Sequence, residues 1–351
     1  MRIRRIPAAI LAATVLVSGL TACSDNGSNG TSSSSSAAGS ESNSESTGDE
    51  ITIKHAFGET VIKGTPERVA TVGWSNQEVP LALGIVPVGM EKATFGDDDG
   101  DGILPWTEEK LQELGGETPV LFDATDAIPY EEIAATEPDV ILAANSGLTQ
   151  EQYDELSKIA PTVAYPHAAW GTSLDEMVEM NSTALGKKDE GEKLDAVLKK
   201  TVADAMAEHP DLEGKKAAFA YVEPTDLSKL TIYTDHDTRQ QFLVDAGFEN
   251  PTVVTEESAK TDAFMAEISA ENPERFDDVD LFIVYGTADD AENQKNLEAL
   301  QADPLLGRIP AIKEGRVAFL GAGPVASSAS PAPLATPWGI KQYLDRLNDA
   351  L

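Results

Sequence analysis

Cysteine and histidine are scarce in this sequence. Cys23 is the only cysteine, and four histidines occur among 351 residues. A lone cysteine cannot close a disulfide within the chain or build a cysteine-ligated metal centre. The sequence also contains no H-E-x-x-H, G-x-S-x-G or S-x-x-K motif. Common signatures of metal-dependent and serine hydrolases are therefore missing.

Positive charge is the second deficit. Lysine and arginine number 26 against 60 aspartate and glutamate residues, which gives a formal charge of −34. Such an acidic surface repels the phosphate backbone of nucleic acids and the anionic surface of a membrane. We therefore expect no nucleic-acid partner, and any membrane attachment must come from something other than charge.

A long apolar run is also missing. The apolar stretch at residues 6–20 is shorter than the roughly 20 residues that a membrane-spanning helix needs. It follows Arg2, Arg4 and Arg5, and this order predicts a secretory signal peptide over residues 1–22.

The signal ends in Leu-Thr-Ala-Cys at residues 20–23, which resembles the lipobox of bacterial lipoproteins. That resemblance implies cleavage before Cys23 and a lipid on its sulfur. Two acyl chains would hold the protein outside the cell, anchored to the membrane. The alternative is a plain secreted protein in which Cys23 is incidental.

Residues 23–50 are rich in serine and contain almost no large apolar side chain. This composition cannot offset the entropy lost on ordering, so we predict a disordered tether.

The remaining roughly 300 residues are enough for two lobes, each with its own core. Apolar runs typical of buried strands alternate with helical patterns, which predicts an α/β fold with two Rossmann-like lobes and mostly parallel sheets. The runs that predict strands are residues 69–74, 86–90, 140–144, 162–165, 217–222, 231–234, 281–285 and 316–320.

Residues 186–209 form a different kind of segment. They are highly charged, and Leu194, Leu198, Val202 and Met206 recur every four positions. This pattern predicts one long amphipathic helix. We therefore divide the folded chain into an N-terminal lobe at 51–185, a linking helix at 186–209 and a C-terminal lobe at 210–351. The final helix can pack back across the lobes.

Six segments together resemble the ferric-siderophore and cobalamin periplasmic-binding family, whose members are substrate-binding proteins of ABC transporters. The similarity spans about residues 62–347 and rests on the order and spacing of the segments. They are PERVA at 66–70, LALGIVPVG at 81–89, EIAATEPDVI at 132–141, LSKIAPTV at 156–163, FDDVDLFIV at 276–284 and IPAIKEGRV at 309–317.

The resemblance implies that the protein binds its ligand in the cleft between the lobes and delivers it to an ATP-driven permease. It implies no catalysis and no cofactor. A ferric siderophore is the expected ligand, with cobalamin and heme as alternatives. A single helical bridge also implies a small hinge motion on binding, and we expect a monomer.

Ligand contacts are expected on loops that follow the carboxyl ends of strands. Trp74, Trp170 and Tyr285 lie at or after such ends. The tryptophans can stack on a planar chelate, and Tyr285 can face the cleft. Each of the three can instead pack in the core.

Arg239 is the strongest polar candidate, because it stands where relatives carry an arginine that meets an anionic ferric chelate. A guanidinium keeps its charge and can bind two oxygens at once. The alternative is a salt bridge to Asp235 or Asp237. One convincing cation argues against a triscatecholate and leaves hydroxamate, mixed and citrate-type carriers open. His236 can ligate incompletely coordinated iron, or it can be an ordinary exposed histidine.

The resemblance also implies docking on the permease through one acidic residue in each lobe. Asp245 matches the position in the C-terminal lobe, and Glu109 is our candidate for the other. In a chain this acidic, either residue can instead be a solvated surface charge.

Residues 97–108 match the D-x-D-x-D-G-x5-E pattern of a calcium loop, with Asp97, Asp99, Asp101 and Glu108 as its carboxylates. No helix is predicted before Asp97, and Pro105 occupies the ninth position. We favour the alternative, an ordinary acidic turn, and predict no metal site.

A surface lipoprotein enzyme is the less favoured alternative. Residues 321–326 have the spacing of a G-x-G-x-x-A phosphate-binding turn. The serine- and proline-rich residues 327–337 that follow predict no helix to hold a phosphate.

Overall fold

The computed structural model describes residues 50–223 and 225–351, which belong to one compact unit. The predicted signal peptide, Cys23 and the predicted tether up to residue 49 lie outside these residues. The first strand begins at Glu50, one residue before the predicted start of the folded chain.

The strands of the N-terminal half are β1 (Glu50–His55), β2 (Gly58–Lys63), β3 (Val69–Thr71), β4 (Gly89–Glu91), β5 (Val120–Phe122), β6 (Val140–Leu142) and β7 (Thr162–Val163). Strands β1 and β2 form an antiparallel hairpin. The other five form a parallel sheet in the order β5-β4-β3-β6-β7.

The strands of the C-terminal half are β8 (Ala217–Tyr221), β9 (Lys229–Tyr233), β10 (Met265–Ser269), β11 (Leu281–Val284) and β12 (Val317–Phe319). Their order is β10-β9-β8-β11-β12. Strands β8, β11 and β12 are parallel, whereas β9 is antiparallel to both of its neighbours.

The helices surround these sheets. They are α1 (Glu78–Ala82), α2 (Pro105–Leu114), α3 (Tyr130–Ala135), α4 (Gln150–Leu156), α5 (Leu174–Ala184), α6 (Lys188–Ala207), α7 (Thr238–Ala246), α8 (Thr252–Ser258), α9 (Asp290–Ala302), α10 (Pro310–Lys313), α11 (Pro324–Ser328) and α12 (Ala335–Asp349). The prediction of an α/β fold with two lobes is confirmed.

Both sheets are buried on both faces. In the N-terminal sheet, Ala70 and Ile141 pack in one apolar cluster, and Val69 and Val140 pack in another. Strands covered on two sides read as continuous apolar runs, which is why the sequence pattern identified them.

Two capping boxes fix helix starts. The predicted box at Thr149 and Gln152 is present: the Thr149 hydroxyl accepts from the Gln152 N–H, and Oε1 of Gln152 accepts from the Thr149 N–H. A second box, from Ser173 and Glu176, starts α5.

Helix α6 lies inside the stretch for which the pattern predicts a long helix. Leu198 packs in an apolar cluster with Val79 and Trp106 of the N-terminal half. Val202 and Met206 pack in the C-terminal core. The apolar stripe of α6 therefore passes from one half to the other.

Helix α12 makes a second crossing. Tyr343 and Leu347 pack in the C-terminal core, whereas Trp338 lies against Trp106 with ring centroids 5.1 Å apart. The fully buried Glu78 carboxylate accepts hydrogen bonds from the Trp106 indole and from backbone N–H groups at the start of α12.

Helix α11 corrects one sequence expectation. A short helix is present where none was predicted: it begins at Pro324, inside the G-x-G-x-x-A segment, and ends at Ser328. Proline is well tolerated in a first helical turn, where its missing N–H costs no hydrogen bond.

In the part of the chain that the structure describes, no helix is both long and apolar enough to cross a membrane.

Candidate ligand-binding site

In each five-stranded sheet, the strand that comes first in the chain, β3 or β8, lies in the middle. The next two strands of the chain extend the sheet on one side of it, and the last two extend it on the other side, so the strand order reverses at the central strand. Loops leaving the carboxyl ends of strands on either side of such a point diverge and create a crevice. In this molecule, Trp74 follows β3 and Asn145 follows β6, while Tyr221 ends β8 and Tyr285 follows β11. All four residues line one cavity.

This cavity has a volume of about 440 Å³ and lies between the two halves. Ligand pockets typically span about 300–1,000 Å³, so it is large enough for a small chelate. It is lined by Trp74, Phe95, Asn145 and Trp170 from the N-terminal half and by Tyr221, Thr238, Arg239, Phe264, Tyr285 and Ser330 from the C-terminal half.

The N-terminal wall is held together by amide hydrogen bonds. The buried Asn76 side chain donates to the Val72 and Asn145 carbonyls and accepts from the Asn145 N–H. The Trp74 N–H donates to the Asn145 carbonyl at 3.1 Å. These bonds join the loops after β3 and β6 and fix the positions of Trp74 and Asn145 relative to each other.

Two glycines allow the loops after β3, β6 and β7 to approach one another closely. Gly73 has φ +80°, and a Cβ there would lie 2.5 Å from the Asn145 carbonyl oxygen. A Cβ on Gly147 would lie 2.4 Å from the indole nitrogen of Trp170. Trp170 itself has φ +63°, a strained value for a bulky residue. Such strain persists only where surrounding contacts hold it, and it is common at binding sites.

Arg239 anchors the C-terminal wall. Its Nε and one terminal nitrogen donate to the two carboxylate oxygens of Asp237 at 2.8 and 2.7 Å, a bidentate ion pair. The other terminal nitrogen donates to the Tyr285 hydroxyl at 3.1 Å. The salt bridge that the sequence offered as an alternative is therefore present. The negative charge of the fully buried Asp237 balances the positive charge of the guanidinium, so the pair brings no net charge to the cavity wall.

Aromatic rings surround the guanidinium. It lies 4.2 Å from the ring centroid of Tyr233 and 5.6 Å from that of Phe219. Burial alone would lower the pKa of Arg239, but the hydrogen bonds to Asp237 and the nearby phenols outweigh it and raise the pKa. Arg239 therefore stays charged and fixed in orientation.

Phe95 closes the cavity across the two halves. It comes from the loop before α2 and packs edge-on against Tyr285, with centroids 5.3 Å apart. Burial raises the pKa of Tyr285, so its hydroxyl remains protonated at neutral pH. Trp170 and Tyr221 are 37 % and 47 % exposed, so large aromatic surfaces remain open to a ligand.

The sequence pattern of the periplasmic binding protein family matches residues 69–323. The chain belongs to this family. The resemblance inferred from the six segments is confirmed, and family membership identifies a binding protein rather than an enzyme.

Three similar proteins help to place this family member. The chain is 44 % identical to Streptococcus pneumoniae TIGR4 PiaA in complex with ferrichrome, with a TM-score of 0.80, covering 85 % of this chain and 98 % of that one. It is 27 % identical to the Fe(3+)-citrate-binding protein YfmC of Bacillus subtilis, over 89 % of this chain and 87 % of YfmC. It is 29 % identical to the probable siderophore-binding lipoprotein YfiY of the same organism, over 75 % of this chain and 78 % of YfiY.

Of the five predicted ligand-binding residues, the structure brings Trp74, Trp170, Arg239 and Tyr285 together around the cavity. His236 is not among the lining residues. Its Nε2 lies 3.1 Å from the Ser258 carbonyl oxygen.

The two predicted docking residues lie on different helices, and both are exposed: Glu109 on α2 and Asp245 on α7. Although Asp245 is exposed to solvent, partial desolvation of its carboxylate by neighbouring atoms and the nearby Asp175 carboxylate raise its pKa, against the opposing charge of Lys199.

The acidic loop before α2 gathers three of its four predicted carboxylates. Ligand atoms of Asp97, Asp99 and Asp101 lie within 4.8 Å of one another. The Asp97 carboxylate accepts from the N–H groups of Gly100 and Gly102. Glu108 instead accepts from Gln112 one helical turn later. These bonds fold residues 97–102 into an acidic turn.

Sequence reasoning missed several lining residues. Asn145 and Tyr221 lie at or just after strand ends, so the argument that selected Trp74 could also have found them. Phe95 lies in the loop after β4, and Phe264 directly precedes β10. Their roles depend on how the two halves meet, which the sequence pattern does not encode.

Proposed function

We propose that this chain is the lipid-anchored substrate-binding protein of an ABC importer, capturing a ferric siderophore between its lobes and delivering it to a permease. Family membership supports the transport role. The ligand class is supported by relatives whose names specify ferrichrome, ferric citrate or a siderophore.

The observation that carries the choice of ligand is the charge of the cavity wall. Arg239 is the one charged residue among those that line the cavity in the described chain. Its charge is balanced by Asp237 at 2.7–2.8 Å. The surrounding protein is strongly acidic, with a formal charge of −34. A highly anionic chelate would meet repulsion at long range and no net positive charge on arrival.

We therefore propose a ferric hydroxamate as the ligand class. Three hydroxamates, each with one negative charge, neutralise Fe³⁺, so the iron centre carries no net charge. Trp74, Trp170 and Tyr221 offer apolar ring faces to such a centre. The spare N–H groups of Arg239 can donate to hydroxamate oxygens without a change in total charge.

The lipid anchor is proposed from the residues at 20–23 and from the name of YfiY as a lipoprotein. Labelling cells that produce the full chain with a radioactive fatty acid tests it. We expect label on the wild type and none on Cys23→Ser. Equal label on both chains contradicts the anchor.

A ligand panel tests the proposed class. The chain from residue 24 onward is titrated with ferrichrome, ferrioxamine B, ferric citrate, ferric enterobactin, cobalamin and heme, with tryptophan fluorescence as the readout. We expect saturable quenching with the two hydroxamates and binding about 100-fold weaker for the trianionic enterobactin complex. Tightest binding of enterobactin, cobalamin or heme would contradict the proposal.

Matched tryptophan variants locate the quenching. Trp170→Phe removes an indole fluorophore from the cavity, whereas Trp338→Phe removes one from the cluster around α12. We expect the hydroxamate-induced quenching to fall in Trp170→Phe and to persist in Trp338→Phe. The reverse pattern places the ligand elsewhere.

Delivery to the permease is tested by reversing the two docking charges. In cells that take up the labelled hydroxamate, Glu109→Lys and Asp245→Lys should each reduce uptake at least about tenfold. Neither should change the affinity measured in solution, because neither residue lines the cavity. Wild-type uptake by both variants contradicts these docking positions.

A further inference from the structure

A second cavity adjoins the proposed ligand site in the C-terminal half. Its volume is about 230 Å³, and it lies at the carboxyl ends of the parallel strands β8, β11 and β12. Helix α9 forms its outer side through Ala299 and Leu300. Open α/β sheets bind ligands at this edge, so the position itself favours a ligand.

The lining of this side cavity is apolar. Most of it comes from hydrocarbon side chains, among them Val222, Leu227, Val284 and Phe319, and no lining residue within the described chain is charged. The volume exceeds the about 150 Å³ of an engineered apolar cavity that stays dry and takes up benzene. The side cavity therefore suits a hydrocarbon group and offers little to an ion.

The side cavity borders the proposed ligand site at the carboxyl edge of the C-terminal sheet. Tyr221 and Tyr285 line both spaces. Tyr221 is 47 % exposed, and its hydroxyl is held by Glu223 at 2.8 Å. Ala220 and Val284 place the side cavity on one face of the sheet, whereas Arg239 packs on the other face against Phe219. A substituent on a chelate between the lobes therefore reaches the side cavity by passing over the carboxyl edge of the sheet beside Tyr221.

We propose that the side cavity is a subsite for an apolar arm, such as a short acyl chain, carried by the same chelate. This inference rests on the proposed function, because the iron centre must occupy the inter-lobe cavity for its arm to reach the subsite. The binding free energy becomes more favourable when the arm leaves water for the apolar side cavity, and the bound iron centre orients the arm toward it.

Two matched probes test the subsite. N-acetyl and N-octanoyl ferrioxamine B have the same iron centre and charge and differ by six methylene groups. We expect the wild-type chain from residue 24 onward to bind the octanoyl probe at least about tenfold more tightly. Burial of about two methylene groups supplies that factor.

A variant that fills the side cavity shows whether the preference for the octanoyl probe arises there. Ala299→Phe places a ring at the side cavity from an exposed position on α9, so the fold should tolerate it. Ala302→Phe is the matched control, because Ala302 is also exposed on α9 and does not line the side cavity. We expect Ala299→Phe to lose the octanoyl preference and Ala302→Phe to keep it, with both binding the acetyl probe like wild type.

The outcomes separate this inference from the proposed function. Equal affinity of the wild type for both probes, or a preference that survives in Ala299→Phe, overturns the subsite while the proposed function stands. Failure of the wild type to bind either probe, ferrichrome or any other ferric chelate overturns both.

Discussion

Arg239 and Asp237 stand two residues apart and form a bidentate ion pair inside the cavity wall. Asp237 also accepts a hydrogen bond from the Arg239 N–H and so caps α7. One carboxylate thus orients the guanidinium, balances its charge and starts the helix that carries it. This arrangement presents N–H donors to a ligand without presenting net charge.

Removing one partner of this pair should be costly. In Arg239→Ala, the Asp237 carboxylate stays buried without its cation, and we expect the free energy of unfolding to fall by about 3–5 kcal/mol. In the double variant with Asp237→Ala, the buried charge is gone and mainly the cap is lost, at about 1 kcal/mol. Urea unfolding of the wild type and both variants measures this. A double variant less stable than Arg239→Ala would show that the pair is not the cause.

Glu78 predicts a specific dependence of stability on pH. Burial raises its pKa to about 7 from an ordinary 4.5, although its hydrogen bonds act in the opposite direction. The folded chain therefore holds this proton more tightly than the unfolded chain does. The resulting stabilisation is fully present below pH 4.5 and is lost as the pH rises through 7, a change of about 3 kcal/mol.

The measurement is a difference between variants, because many other carboxylates titrate in the same range. Glu78→Gln cannot ionise, so the unfolding free energy of the wild type minus that of Glu78→Gln should fall by about 3 kcal/mol between pH 4.5 and 8. Glu109→Gln, at an exposed position on α2, serves as the control for the effect of a Glu→Gln change at the surface. A flat curve for Glu78→Gln would mean that burial does not shift the pKa of Glu78.

The sequence could identify cavity residues where one local rule applied. Trp74 and Tyr285 were selected because they lie at strand ends, and they do line the cavity. Asn76 could not be recognised in this way. It is a polar residue in a loop, and its function is to join two loops whose sequence positions differ by 69. Such a role appears only when the topology brings the loops together.

Helix α6 is the element whose sequence pattern most directly predicts how the two halves are joined. Its charged face is solvated, and its apolar stripe contacts the cluster around Trp106 at one end and the C-terminal core at the other. A helix that shares buried side chains with both halves restricts how they can move relative to each other.

Neighbouring positions on α6 provide a matched test of this packing. Leu198 is 1 % exposed and Val197 is 60 % exposed. Leu198→Ala should lower the free energy of unfolding by about 2–5 kcal/mol, since it leaves a cavity in the cluster. Val197→Ala should change it by no more than about 0.5 kcal/mol. If urea unfolding showed comparable losses of unfolding free energy for the two variants, burial of the apolar stripe would not be what holds α6 in place.

Element boundaries were harder to predict than element types. The capping box at Thr149 located the start of α4, because that signal is local. The apolar run at 86–90 predicted a strand that in the structure is Gly89–Glu91, since only the later residues pair with β3 and β5. Pairing partners decide where a strand begins, and they lie far away in the sequence.

At the scale of the whole molecule, the two halves are joined twice. Helix α6 crosses once, and α12 crosses back, with its first residues held by the buried Glu78 carboxylate. Phe95 adds a contact across the cavity itself through Tyr285. Two helical crossings resist a wide hinge opening more than a single flexible linker would.

This rigidity predicts how little the molecule changes when a ligand binds. The chain from residue 24 onward contains no cysteine, so cysteines introduced at Glu109 on α2 and Val244 on α7 can be spin-labelled alone. We expect the distance between the labels to shift by no more than about 2 Å when ferrichrome is added. A pair at Glu109 and Lys158, both in the N-terminal half, sets the precision. A shift of many ångströms in the first pair but not the second would mean that α6 and α12 act as a hinge, and the ligand would then be enclosed by closure of the lobes rather than received by a preformed cavity.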